Sequence, residues 1–132
     1  MSKDNFDNTV LMSASRDGHT EIVKLLLEEG TDPNAKNNYG NTALMLASSR
    51  GHTEIVKLLL EKGADPKSKT DFGNTALMLA SLSGHAEIVK LLLEKGADPN
   101  AKTELGDTAI TGASSYGHTE IVKLLKDKGA KE

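Results

Sequence analysis

The chain has 132 residues and a mild net charge of −3, with 37% apolar residues, 3% aromatic residues and no cysteine. The charge argues against a dominant attraction to nucleic acid or to an anionic membrane. The absence of cysteine excludes disulfides, thiolate catalysis and cysteine metal ligands. No apolar run approaches the length of a membrane span, and the first residues lack the apolar segment of a secretory signal. The expectation is an intracellular, cytoplasmic protein.

A block of 33 residues recurs along the chain. Gly-His pairs begin at Gly18, Gly51, Gly84 and Gly117, and each is soon followed by Glu-Ile-Val-Lys-Leu-Leu. A fixed period of this length indicates a stack of similar supersecondary units, none of which buries its own apolar face. We expect a single domain with four repeats, of which the first and last act as caps. Their approximate bounds are 4–36, 37–69, 70–102 and 103–132.

Each unit is predicted to fold as a turn, a helix, a second turn, a second helix and a long loop. In 37–69, Asn41 and Thr42 are good N-terminal caps for a first helix, which Gly51 ends. The second helix has a broad apolar face, and Gly63 suits the left-handed position after its end. The expected fold class is therefore all-α, a solenoid of four stacked helix-turn-helix repeats with projecting β-turn or hairpin loops.

These units resemble ankyrin repeats. The family's unit has the same length, with a Thr-Pro-Leu-His element, a Gly-His turn, an Ile-Val-x-Leu-Leu-Leu helix and a Gly-Ala-Asp-x-Asn exit. The second unit shows Thr42-Ala43-Leu44-Met45, Gly51-His52, Ile55-Val56-Lys57-Leu58-Leu59-Leu60 and Gly63-Ala64-Asp65-Pro66. Since Ala and Met replace the Pro and His of the first element, we expect a stabilising hydrogen-bond motif of the family to be missing. The resemblance implies a non-catalytic module for protein–protein interaction.

The regular columns of polar residues do not predict a catalytic or metal site. Equivalent positions in stacked helical units lie about 8–10 Å apart, too far for the Gly-His histidines to share a zinc ion. The Asp-Pro and Glu columns recur once per unit with no nucleophile beside them, and the glycines punctuate turns. Met12, Met45 and Met78 are interpreted as packing residues. We expect no enzymatic activity, no cofactor, no metal, and no nucleic-acid or membrane partner.

Differences between the copies identify a candidate binding surface. The second and third units differ at eight positions, and four of these fall on a loop tip or at the end of the first helix. Partners contact those places in proteins of the family that this chain resembles. Phe6, Tyr39 and Phe72 share one tip position, which Leu105 continues, and Tyr116 ends the last first helix. Exposed aromatic residues are enriched at binding surfaces, although these rings could instead only pack against neighbouring tips.

The predicted function is recognition of a protein partner through the concave face and loop tips, by a monomer, with self-association left open. The predicted partner-binding residues are Phe6, Arg16, Tyr39, Asn41, Arg50, Phe72, Asn74, Leu82, Leu105 and Tyr116. A second interpretation is an engineered, consensus-like or truncated repeat scaffold with no natural partner of its own. The near-identity of the middle copies favours it, but recent natural duplication explains near-identity as well. The Ala and Met substitutions count against a standard engineered library.

Overall fold

The computed structural model describes residues 8–131, which form eight helices and no strand. In chain order they are α1 (Val10–Asp17), α2 (Thr20–Glu28), α3 (Ala43–Arg50), α4 (Thr53–Glu61), α5 (Ala76–Ser83), α6 (Ala86–Glu94), α7 (Ala109–Ser115) and α8 (Thr119–Asp127). The predicted order of helix, turn and helix is confirmed in each of the four pairs. The loops between the pairs contain turns, as predicted.

A threonine starts the first helix of every pair. Its backbone is extended, and its hydroxyl accepts a hydrogen bond from the backbone N–H three residues later, a cap that typically contributes about 1 kcal/mol. These N-caps are Thr9, Thr42, Thr75 and Thr108. In two pairs the cap is reciprocal, because the Thr42 N–H donates to Met45 Sδ at 3.4 Å and the Thr108 N–H donates to Thr111 Oγ1 at 2.8 Å. The expected threonine cap is confirmed for α3, and Met45, which replaces the histidine of the family's element, accepts a hydrogen bond through its sulfur.

The Gly-His turns link neighbouring pairs. Gly51 ends α3 with φ +81°, and its N–H donates to the Ala47 carbonyl oxygen. The His85 ring lies so close that a Cβ added at Gly51 would stand 2.7 Å from His85 Cε1. His85 Nε2 lies 3.2 Å from the Ser49 carbonyl oxygen, which can only accept the hydrogen bond. His52 and His118 bond the preceding pair in the same way. The predicted structural role is confirmed for these three histidines.

The pairs stack in two layers around an aliphatic core. Helices α1, α3, α5 and α7 pack side by side, and so do α2, α4, α6 and α8. The first helices contribute buried columns of Leu, Met and Ala, and the second helices contribute buried Ile, Val and Leu. Met12, Met45 and Met78 are buried, which confirms their interpretation as packing residues.

The two ends of the stack differ. The side chain of Ile22 in α2 is 46% exposed, whereas Ile55 at the same position of α4 is fully buried. Val10 and Leu25 are exposed at this end as well. At the other end, Lys126 of α8 replaces a leucine of the inner pairs and is exposed. The outer side of the first pair therefore keeps exposed aliphatic side chains.

Candidate functional site

Three turns of one design precede α3, α5 and α7. In each, the side-chain oxygen of the first residue accepts the backbone N–H of the residue four positions later. The first residue's own N–H donates to the carbonyl oxygen of that same later residue. The residues paired in this way are Asn37 with Asn41, Thr70 with Asn74 and Thr103 with Asp107. Each turn is thus closed at its base, and the two residues that follow its first residue are exposed.

Backbone hydrogen bonds join adjacent tips into a row. The Asp71 N–H donates to the Tyr39 carbonyl oxygen at 3.0 Å, and the Glu104 N–H donates to the Phe72 carbonyl oxygen at 3.0 Å. Gly40 lies at the first junction with φ +83°, and a Cβ there would stand 2.9 Å from the Asp71 nitrogen. Only glycine suits both the conformation and the close approach. The backbones of adjacent tips are consequently fixed relative to one another.

Each tip carries one large exposed apolar side chain. Tyr39 is 56% exposed, Phe72 is 41% exposed and Leu105 is 77% exposed. Phe6, the fourth predicted member of this column, lies outside the described residues. Exposure of this extent leaves much of each side chain available for contact with another molecule.

Leu82 and Tyr116 lie at the C-terminal ends of α5 and α7. The carbonyl oxygen of the exposed Leu82 accepts a hydrogen bond from His118 Nε2 at 3.1 Å. Tyr116 is exposed, and its ring stacks on that of His118 with 6.3 Å between centroids and 19° between planes. His118 thus contacts both the backbone of Leu82 and the ring of Tyr116.

A pocket of about 530 Å³ lies between α5 and α7. Its wall includes four of the ten predicted residues, namely Phe72, Asn74, Leu82 and Tyr116. Met78, Leu79 and Gly112 also line it, and sequence reasoning did not assign them to the site. The structure therefore brings one tip, one turn and two helix ends together around a single concavity.

The other predicted residues lie outside that wall. Asn41 is half-buried, and its backbone closes the first turn. Arg16 Nε donates to Asp17 Oδ1 at 2.9 Å. That hydrogen bond is the main reason why the pKa of the Asp17 carboxyl is below its ordinary value, and the charge of the exposed Arg50 lowers the pKa further. The positive charge of Arg16 is consequently partly balanced by its neighbour.

Sequence reasoning missed a polar link between pairs. Asn34 Nδ2 donates to the Gly63 carbonyl oxygen at 3.0 Å, and Asn34 Oδ1 accepts from the Asp65 N–H at 2.8 Å. Asn100 makes the same two bonds at the C-terminal end. Lys67 occupies the position between them and has no amide. Position 67/100 is one of the eight differences between the middle units, so the signal was present, although far from the tips.

The repeated aspartates of the loops have a structural role. Asp32, Asp65 and Asp98 each accept the backbone N–H two residues later, which closes a turn in the loop. Within residues 8–131, no group of three or more His, Asp or Glu side chains is placed to hold a metal ion. Over the same residues, no helix has the length and apolar character needed to cross a membrane.

Stacked helix pairs with a constant period define a helical repeat solenoid. A family model for ankyrin repeats (three copies) matches residues 1–70 and again residues 64–132, and the chain therefore belongs to the ankyrin-repeat family. The family resemblance and the all-α solenoid predicted from the sequence are confirmed. A comparison with curated proteins found none that matches this chain. Ankyrin repeats are generally protein–protein interaction modules and are generally non-catalytic.

Proposed function

We propose that this chain binds a protein partner through one surface, the recognition face, formed by the row of loop tips and the exposed ends of the first helices. The proposed partner-binding residues are Phe6, Arg16, Tyr39, Asn41, Arg50, Phe72, Asn74, Leu82, Leu105 and Tyr116. One observation carries the proposal: large apolar side chains are exposed along this face at Tyr39, Phe72, Leu82, Leu105 and Tyr116. Clustered exposed apolar side chains commonly mark interaction sites.

The chemistry of the face suits recognition rather than catalysis. Aromatic and Leu side chains supply area for burial, while charged groups at the edge set orientation and specificity. Arg16 and Arg50 contribute positive charge, and Asp71, Glu104 and Asp107 contribute negative charge. We propose a monomer without enzymatic activity, cofactor or nucleic-acid partner. The expectation of a cytoplasmic location remains a prediction.

The test compares two sets of alanine substitutions at exposed apolar residues. The recognition-face variant combines Tyr39→Ala, Phe72→Ala and Tyr116→Ala. The control variant combines Val10→Ala and Leu25→Ala, which are exposed on the first pair and are not among the proposed partner-binding residues. The wild-type protein and both variants are immobilised for a pull-down, and the proteins that they retain are identified by mass spectrometry. The Kd of each retained protein is then measured for the wild type and for both variants.

We expect the recognition-face variant to weaken partner binding at least about tenfold, because aromatic residues are frequent hot spots. The control variant should bind as the wild type does. Equal affinity of the wild type and the recognition-face variant would show that the proposed face is wrong.

The second candidate is a repeat scaffold with no natural partner of its own, either engineered or cut from a longer array. The exposed aliphatic side chains of the first pair favour it, since Val10 and Ile22 occupy positions that are buried in the inner pairs. Two copies of the chain can also associate through an exposed apolar surface of this kind. Sedimentation measured over a range of protein concentrations, with Ile22→Lys as the comparison, detects association at this end.

A further inference from the structure

The pocket between α5 and α7 lies beside a position that is leucine in α3 and α5 but glycine in α7. Leu46 in α3 and Leu79 in α5 are half-buried, and Gly112 stands at the same position of α7. A Cβ added at Gly112 would lie 3.5 Å from Leu82 Cδ1, in ordinary contact, and Gly112 does not have a positive φ. Glycine is unfavourable inside a helix. The fold therefore does not require glycine at this position, and the missing side chain leaves open space.

The wall of this pocket combines apolar and polar groups and carries charge of one sign. Its apolar side chains are Phe72, Met78, Leu79, Leu82 and Tyr116. Asp107 is the only charged residue in the wall within the described part of the chain. The exposed Asp71 and Glu104 are adjacent in sequence to the wall residues Phe72 and Thr103. Lys102 lines a neighbouring pocket and not this one.

We infer that this pocket receives a large apolar side chain of a protein partner that is flanked, in the partner's own sequence, by a lysine or arginine. The inference rests on the proposed function, because it assigns a partner chemistry to part of the recognition face. The volume of about 530 Å³ is ample for one large side chain. Ligand sites use apolar side chains to bury the ligand and polar groups to fix its orientation, and this wall supplies both. Asp107 is placed to pair with the flanking cation.

The rim of the pocket is held in position before any partner arrives. The backbone at Phe72 is tied to the next tip by the Glu104 N–H, and the Tyr116 ring stacks on His118. Asn74 and Ser115 add an amide and a hydroxyl to the wall, groups that can bond the backbone beside the inserted side chain. Because these parts are already ordered, binding loses less conformational freedom than on a mobile surface.

The test fills the pocket with Gly112→Leu, which restores the residue type of α3 and α5. The probe is a library of random short peptides, from which those retained by the wild-type protein are sequenced and their Kd values measured. We expect the retained peptides to share a Leu, Ile, Phe or Trp with a nearby Lys or Arg. Gly112→Leu should weaken them at least about tenfold while raising the melting temperature, since leucine is the better helix former. Loss of binding together with a gain in stability cannot result from misfolding.

Two further variants serve as comparisons. Ser13→Leu adds the same side chain at the equivalent position of α1 and should leave the affinity unchanged. Asp107→Asn should weaken the basic peptides and reduce the salt dependence of their binding. Retained peptides that lack the apolar anchor or the basic residue, or that bind Gly112→Leu as tightly as the wild type, would overturn the inference, as would a failure to retain any peptide.

The inference and the proposed function fail in different ways. If Gly112→Leu keeps the affinity for a protein partner that the recognition-face variant loses, the pocket is not used and the recognition face stands. If the recognition-face variant itself keeps that affinity, the proposed function is wrong whatever the peptides do.

Discussion

Helices α2 and α4 have the same nine residues, Thr-Glu-Ile-Val-Lys-Leu-Leu-Leu-Glu, and yet differ in burial. Val23 and Val56 are fully buried in both, whereas Ile55 is buried and Ile22 is exposed. Helix α4 packs against the second helices on both sides, α2 and α6, whereas α2 packs against one second helix, α4, within the described residues. The comparison shows that the repeated sequence decides which face of a helix is apolar, and the number of neighbouring pairs decides how much of that face is removed from water.

The largest effect on stability should come from truncating the isoleucine that occupies the same position in each of the two helices. Ile55→Ala should lower the free energy of unfolding by about 2–5 kcal/mol, because it leaves a cavity in the stacked core. Ile22→Ala should cost less than about 1 kcal/mol, because its side chain already contacts water. Urea unfolding followed by circular dichroism measures both values. Similar losses would mean that α2 is covered in solution and that the comparison fails.

The hydrogen bonds of Asn34 with Gly63 and Asp65 lie at a position where the copies differ, since the second pair has Lys67 there. Asn34→Ala should cost about 1–2 kcal/mol, because two hydrogen bonds between the first and second pairs are lost. Lys67→Asn should gain about 1 kcal/mol by creating the equivalent link between the second and third pairs. Lys67→Ala is the matched control, since it removes the lysine without adding an amide. Equal unfolding midpoints for the two Lys67 variants would contradict the proposed link.

The four first helices have a serine at the same position, and the burial of this serine differs between the last pair and the other three. Ser15, Ser48 and Ser81 are fully buried, and their hydroxyls have no hydrogen-bond partner among the described residues. Ser114, at the same position of α7, is exposed. Ser48→Ala should therefore stabilise the protein by about 1 kcal/mol more than Ser114→Ala does, because only Ser48 loses an unsatisfied buried hydroxyl. Both substitutions gain alike from helix propensity, so equal thermal shifts would indicate that the Ser48 hydroxyl is satisfied in solution.

The smallest effect concerns the acid at the end of α1. Arg16→Leu should raise the pKa of Asp17 toward its ordinary value, whereas Arg50→Leu should raise it less, because Arg50 acts only through its charge. Since the pKa of Asp17 is lowered on folding, its contribution to stability is present above the unfolded-state pKa and is lost as the pH falls through the folded-state pKa. An NMR titration of the carboxyl carbon measures both variants. A larger rise in Arg50→Leu than in Arg16→Leu would contradict the assigned hydrogen bond.

Much of the fold could be predicted because its signals are local. Thr42 and Gly51 bound α3 as expected, since a threonine cap and a left-handed glycine act within one turn of helix. The candidate site was less predictable. Tyr39 and Leu105 were recognisable as tip residues from the period alone, but the stacking of Tyr116 on His118 depends on how the α7–α8 turn places the two rings. The role of Met45 Sδ as an acceptor depends likewise on side-chain geometry.

The sequence by itself determined the period, the helix bounds, the apolar faces and the family. These follow from hydrogen bonds and side-chain spacing within a single unit, and every copy repeats them. Only the tertiary structure decided that identical isoleucines differ in exposure, that Asn34 bonds residues about one repeat away, and that Gly112 opens a pocket beside Leu82. The physical reason is that burial, inter-pair hydrogen bonds and concavities arise where two units meet, and the sequence of one unit does not contain the shape of its neighbour.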